Sequence, residues 1–300
     1  MSTADEASML SGLAHEHLGA DLGARWSQML TPAARLVAQP RVEGRWWARR
    51  RAPGRSVGWL GGLPTLSVGA AWPEWAGRGP LSHLATLDCA QLHPNVPDRL
   101  REAGFPADGL LSFFYLDGSL DGGVEVISSM YGTGGGARVV YTPGDVAVTE
   151  LATPARLEPY RRVELTAETV LTWPTWEHPD LHGGGRPAPG WDGLFEALDR
   201  VRQHHPGPIH QVGGNPDPVQ GPVELEMSYG HLSRGGAVKT AWTDPEVIEG
   251  AREWLLLAQF DSDDAAGFMW GDAGVLYFMI RPQDLARRAF DQTSFTWQCG

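Results

Sequence analysis

The chain has 300 residues, enough for two ordinary domains or one large one. Its 38 Gly and 23 Pro exceed ordinary usage, but they are scattered between apolar runs in no repeat, which excludes collagen and low complexity; 13 Trp call for a packed interior. A net charge of −12 and a pI of about 5.2 argue against a phosphate backbone as partner.

Residues 5–30 read as an amphipathic helix, with Leu10, Leu13, Leu18, Leu22, Trp26 and Met29 stepping along one stripe. Thr31 offers an N-cap and Pro32 a first helical residue, which predicts a second short helix to about Val37, closed by Pro40. Residues 41–55 carry six arginines around Trp46 and Trp47. Such interleaving suits single-stranded nucleic acid, but in so acidic a chain it reads as a solvated segment meeting the protein's own carboxylates. Lys239 is the only lysine, as expected of a GC-rich coding sequence.

Beyond Gly58, short apolar runs alternate with Gly and Pro. Strands are expected at 81–88, 110–116, 124–128, 138–142, 224–227, 254–261, 275–280 and 294–298. Helices are expected at 98–103, 192–205, 245–253 and 282–288. Residues 172–190 read as a long loop, and Gly132–Gly136 as a hairpin loop rather than a phosphate cradle, since no Lys or helix follows. The fold class is therefore α+β, largely antiparallel, with short helices.

The two halves repeat an order of features. Gly61-Gly62-Leu63-Pro64 precedes Leu84-Ala85-Thr86-Leu87-Asp88 and then Gly109-Leu110-Leu111-Ser112-Phe113-Phe114. Gly213-Gly214-Asn215-Pro216 precedes Leu257-Ala258-Gln259-Phe260-Asp261 and then Gly274-Val275-Leu276-Tyr277-Phe278-Met279. This reads as an internal duplication: a helical extension over 1–54, a first repeat over 55–165, and a linker loop with a second repeat over 166–300.

Where the copies differ, the second is richer in polar groups. Gln211, Asn215, Asp217 and Gln220 surround its Gly-Gly turn, and Asp261, Asp263, Asp264, Trp270 and Asp272 follow its strand. These nine are the candidate binding residues. Asp261, Asp263 and Asp272 are weak metal candidates, because oxygen-rich loops suit Ca²⁺ or Mg²⁺ although this spacing lacks the EF-hand Gly and closing Glu. His178 and His182 have helical spacing, but Pro179 interrupts it. There is no zinc-protease, nucleophile-elbow or P-loop motif, and no cofactor is expected. Cys89 and Cys299 cannot form a disulfide framework, the N-terminus lacks a signal-peptide pattern, and no window is apolar enough to span a membrane. A cytoplasmic protein with reduced thiols follows.

The first repeat with Ala71-Trp72-Pro73, the run Gly214-Asn215-Pro216-Asp217-Pro218-Val219-Gln220-Gly221, and above all Met269-Trp270-Gly271-Asp272-Ala273-Gly274-Val275-Leu276-Tyr277-Phe278 resemble the YwqG-like family of uncharacterised bacterial proteins, over roughly residues 55–300. The resemblance implies an α+β fold rich in antiparallel sheet and makes an immunity-like or partner-binding role plausible. The first expectation is thus a non-catalytic module for a protein or peptide, with no membrane and no nucleic acid. The rivals are a hydrolytic or metal-assisted enzyme using the aspartates, and a small-ligand pocket between the repeats.

Overall fold

In the computed structural model, which describes residues 3–39, 54–117, 127–181, 188–233 and 241–300, the chain opens on helix α1 (Thr3–Gln28). The helix breaks at Gly19, where φ is 79° and ψ −178°. Its two arms fold together so closely that a Cβ on Gly23 would lie 2.8 Å from the Ala14 carbonyl oxygen. The expected single helix is a helical hairpin, because only glycine turns the chain so sharply there.

Then come β1 (Thr31–Ala38), β2 (Gly58–Leu60), β3 (Thr65–Ser67), β4 (Glu74–Trp75), β5 (Gly79–Pro80) and β6 (Ser82–Asp88). Helices α2 (Cys89–Leu92) and α3 (Asp98–Glu102) lead to β7 (Leu110–Tyr115), β8 (Ala137–Thr142), β9 (Val148–Glu150) and β10 (Val163–Thr172). Helix α4 (Trp191–Arg202) precedes β11 (His210–Val212), and α5 (Val223–Ser233) and α6 (Pro245–Ala251) precede β12 (Leu255–Asp261). The chain closes with β13 (Val275–Ile280), α7 (Pro282–Ala286) and β14 (Ser294–Gln298).

Two expected elements change type. Residues 31–37 form strand β1, not a helix. Pro32 is tolerated because it lies outside the overlap with β11, which spans only Ala34–Leu36 on that side. Residues 224–227 belong to helix α5, not a strand: Val223, Met227 and Gly230 are buried on one helical face, and the short alternation in Val-Glu-Leu-Glu-Met misleads. Residues 124–126 of an expected strand, most of the arginine-rich run, His182 and Lys239 lie outside the described residues.

Ten strands form one antiparallel sheet in the order β14-β13-β12-β11-β1-β10-β2-β6-β7-β8. The α+β class holds. The order is symmetric about the β1–β10 pair: a Gly-Gly turn follows both β2 and β11, and on each side three further strands of this sheet come next in chain order, β6-β7-β8 and β12-β13-β14, with β3, β4 and β5 lying in two small sheets before β6. Both flanks carry a register shift at a matching point, between His83 and Ala85 in β6 and between Leu256 and Ala258 in β12. The lead strands cross over, since β1 pairs with β11 and β10 pairs with β2.

The sheet curls so that its flanks meet. Phe113 of β7 lies 5.1 Å from Phe260 of β12 and 5.2 Å from Phe278 of β13, ring centre to ring centre. Leu276, Phe278 and Ile280 point into this main core, while Val275, Tyr277 and Met279 point out against α5. Covered on both faces, β13 reads as an unbroken apolar run. A further cluster joins both arms of α1 to α4 over the end of β10, around Leu10, Trp26, Leu194 and Leu171. Among the described residues, no helix is long and apolar enough to cross a membrane.

Candidate functional site

The polar segment 209–221 is held from below by three glutamines that the sheet buries. Gln211 Nε2 donates to the carbonyls of Gly213 (3.0 Å) and Asn215 (2.8 Å). Gln259 accepts from Asp217 N–H at 3.1 Å and donates to the Ile209 carbonyl at 3.0 Å. Gln298 accepts from Val219 and Gln220 N–H at 2.9 and 3.0 Å and donates to Gly221. Tyr277 adds a hydroxyl bond to the Asp217 carbonyl at 2.7 Å. Backbone groups that cannot join a ladder are thus satisfied, and the turn is rigid. Asn215 ties it to the end of β10 and to the first half of the chain: its N–H meets Thr172 Oγ1 at 2.7 Å and its Nδ2 meets the Met29 carbonyl at 2.9 Å.

The carboxylates of the second loop do not converge. Asp261 accepts from Ile209 N–H at 2.8 Å, and burial pushes its carboxyl up. Asp263 is buried and accepts from Ala265 N–H at 2.7 Å and His210 Nε2 at 3.1 Å. The His210 bond leads the causes that hold its carboxyl below the usual range. His210 Nδ1 takes the N–H of Asp261 at 3.1 Å, so the ring proton sits on Nε2 and neither nitrogen is open to a substrate. Trp270 is buried and donates to the Asp261 carbonyl at 3.2 Å. Asp264 and Asp272 are exposed, and Asp217 forks with Arg202. Gln220 is exposed and contributes its backbone. Among the described residues, no three His, Cys, Asp or Glu side chains gather to hold a metal.

One constellation escapes sequence reading. His83 Nε2 lies 2.9 Å from Thr86 Oγ1, which lies 2.9 Å from Ser112 Oγ. It has the look of an activated hydroxyl. All three side chains are buried, however, and none lines either cavity described next. Burial brings the His83 ring down to about 4, so it stays neutral and closes a polar network inside the sheet.

The rigid turn separates two cavities, both touched by Asn215 and Pro216. The larger, about 390 Å³, lies between α3 of the first half and α5, α6 and the start of β12 of the second. Pro97, just before α3, and Leu100 within it seat directly on Gly213, whose φ of 68° and close neighbours leave no room for a side chain. Glu224, Arg99, His178 and the Asp180–Arg252 ion pair face this space. Burial raises the Glu224 carboxyl to about 7, against the smaller pull of its own N–H and of Arg99. Burial lowers the His178 ring to about 4. Arg99 acts electrostatically on both. A carboxyl that changes charge near neutrality inside a cleft is a functional-site signature. Glu224 and Arg99 carry no mark in the sequence that separates them from ordinary solvated helix residues.

Comparison with known proteins adds one finding. The model of the family described as Domain of unknown function (DUF1963) matches residues 59–299. The search of curated proteins gives no match.

Proposed function

We propose that this chain, which belongs to the DUF1963 family, binds a small polar molecule in the 390 Å³ cavity between its two halves, with Glu224 as the proton-exchanging contact. The observation that carries this reading is a cavity of ligand size containing a carboxyl poised near pH 7. When protonated, Glu224 both donates and accepts, as an amide or hydroxyl partner requires; when ionised it only accepts. Arg99 supplies the complementary cation. This reading is preferred to a protein or peptide partner because the cleft is of small-molecule size. The aspartate-based enzyme loses support because Asp261 and Asp263 are occupied by backbone N–H groups.

The same reading treats the halves as two copies of one unit, with the YwqG-like resemblance as part of it. The mirrored strand order and matched register shifts support the duplication. On this view the first copy starts at β1, and the second at Val163 rather than inside β10, which revises the 54/55 and 165/166 boundaries. A reduced, cytoplasmic setting belongs to the proposal as well; Cys89 is buried and both cysteines are unpaired.

Two measurements test the site. A raised carboxyl holds its proton more tightly in the folded chain, so its stabilising share is present at low pH and lost as pH rises from about 4.5 to about 7. Glu224→Gln removes that loss. In urea unfolding the variant should differ little from wild type at pH 4.5 and be more stable by about 1–2 kcal/mol at pH 8, a value discounted for water in the cleft. A thermal-shift screen of small polar metabolites should then give hits that stabilise wild type more at pH 6 than at pH 8. That difference should vanish in Glu224→Gln, and the hits should weaken in Arg99→Ala. Hits indifferent to both changes, or none at all, would remove the proposal.

A further inference from the structure

The smaller cavity, about 80 Å³, lies on the other side of the 213–217 turn. Arg35, Trp173, Val201, Arg202, Gln211 and Asp217 form much of its wall. Arg35 sits in the middle of β1, paired in register with Glu168 on one side and Gln211 on the other, and only 8% of it is exposed. Its Nη2 donates to the Pro206 carbonyl at 3.1 Å. Its Nη1 stands 3.9 Å from Glu168, which His205 also approaches to 3.4 Å. Its Nε is buried and meets no acceptor.

A buried guanidinium N–H without a partner is unfavourable, and native chains seldom keep one. The nearby acids do not relieve it. Asp217 is forked to Arg202, and Glu168 reaches only the far end of the guanidinium. Glu6 also lines the cavity, but burial raises its carboxyl, and Arg35 is not among the charges that act on it. Apolar and aromatic groups also line it: Val170, Val201 and the Trp173 ring, with the Arg202 guanidinium 5.2 Å over that ring. The wall therefore offers one buried cationic donor and a short apolar surface. A water-sized group takes about 10–15 Å³ on this measure, so the space admits about six heavy atoms.

We propose that this cavity is a second binding site, for a small aliphatic carboxylate, with one oxygen on Arg35 Nε and the carbon tail against Val201 and Trp173. An ionised carboxylate supplies the acceptor that the chain lacks, and the guanidinium fork matches its planar geometry. The proposal does not depend on the Glu224 cleft.

Acetate, propionate and butyrate titrated into the full chain at pH 7 and constant ionic strength, followed by calorimetry, test it. Saturable binding is expected, about fourfold tighter for each added methylene. Arg35→Met should weaken it by at least about tenfold. Val201→Phe, which fills the space and leaves the guanidinium intact, should abolish it, and it decides the matter alone if Arg35→Met does not fold. Glu224→Gln should bind as wild type does. No saturation by any of the three acids would overturn the proposal. So would wild-type binding by either cavity variant, or loss of binding in Glu224→Gln, which would move the ligand to the larger cavity.

Discussion

Asp263→Ala is expected to destabilise the protein by about 2–5 kcal/mol, because it leaves two donors, the enclosed His210 Nε2–H and the partly buried Ala265 N–H, without an acceptor at about 1–3 kcal/mol each. The carboxylate satisfies His210 Nε2–H and Ala265 N–H together, and both Asp263 and His210 are almost wholly enclosed. In the variant the imidazole N–H has nowhere to turn, because its other nitrogen is held by Asp261 N–H. Asp263→Asn keeps one acceptor oxygen and should lose about 1–2 kcal/mol. The sign of the pH dependence is fixed by the lowered carboxyl. Its stabilising share is present above the ordinary value of 3.8 and is lost as pH falls through the lower folded value. The penalty should therefore be flat across neutral pH and shrink only in strong acid. Urea denaturation at pH 7 and pH 3 measures both points. A loss below about 1 kcal/mol at pH 7 for Asp263→Ala would mean that the pair does not hold the loop as described.

Gly61→Ala is expected to lose more than about 4 kcal/mol or fail to fold, an exceptional value for one methyl group. Gly61 has φ of 57°, where an L-residue loses about 1–2 kcal/mol before any contact is counted. Its added Cβ would fall 2.4 Å from the Arg161 carbonyl oxygen, and neither partner is a flexible side chain. Gly69→Ala is the control. Its φ is also positive, at 84°, but nothing stands within 4 Å, so only the local term of about 1–2 kcal/mol applies. Chemical denaturation of the two variants side by side separates steric conflict from backbone preference. Equal losses would show that the approach of the 160–162 segment to the first Gly-Gly turn is looser than drawn.

The parts of the fold that read well in the sequence are those where burial and local preference agree. Strands β7, β12 and β13 are rich in leucine and aromatic side chains, and with β6 and β14 they are almost wholly buried. Helices α3, α4, α6 and α7 carry Pro or an acidic residue at their starts. The failures have local causes. Thr31-Pro32 imitates a helix start, whereas long-range pairing with β10 makes it a strand. Gly19 is one glycine in a helical pattern, and nothing near it in sequence marks it as a reversal. Strand β11 has only three residues, His-Gln-Val, and gains its place from neighbours on both sides.

The second Gly-Gly turn is distinctive in the sequence, but its polar residues are legible there only as composition. Gln211 and Asn215 hold backbone, and the acidic loop is held by its own N–H groups. Glu224 and Arg35, on which the two proposals rest, owe their unusual states to burial, which depends on elements far away in sequence. Of the residues facing the larger cavity, Asn215 is marked in the sequence by its place beside the Gly-Gly turn, and His178 only by a spacing with His182 that Pro179 breaks.

The crossing of the lead strands has a consequence for how the protein is made. Leu36 must wait for Ala167 and His210, more than a hundred residues later, before β1 is paired on both sides. At ~5–20 residues per second of translation, that wait lasts on the order of ten seconds. Throughout it, a strand rich in alanine, leucine and valine stays open on the ribosome, within reach of other nascent chains. The acidic α1 hairpin emerges just before β1, where its charge discourages that early association.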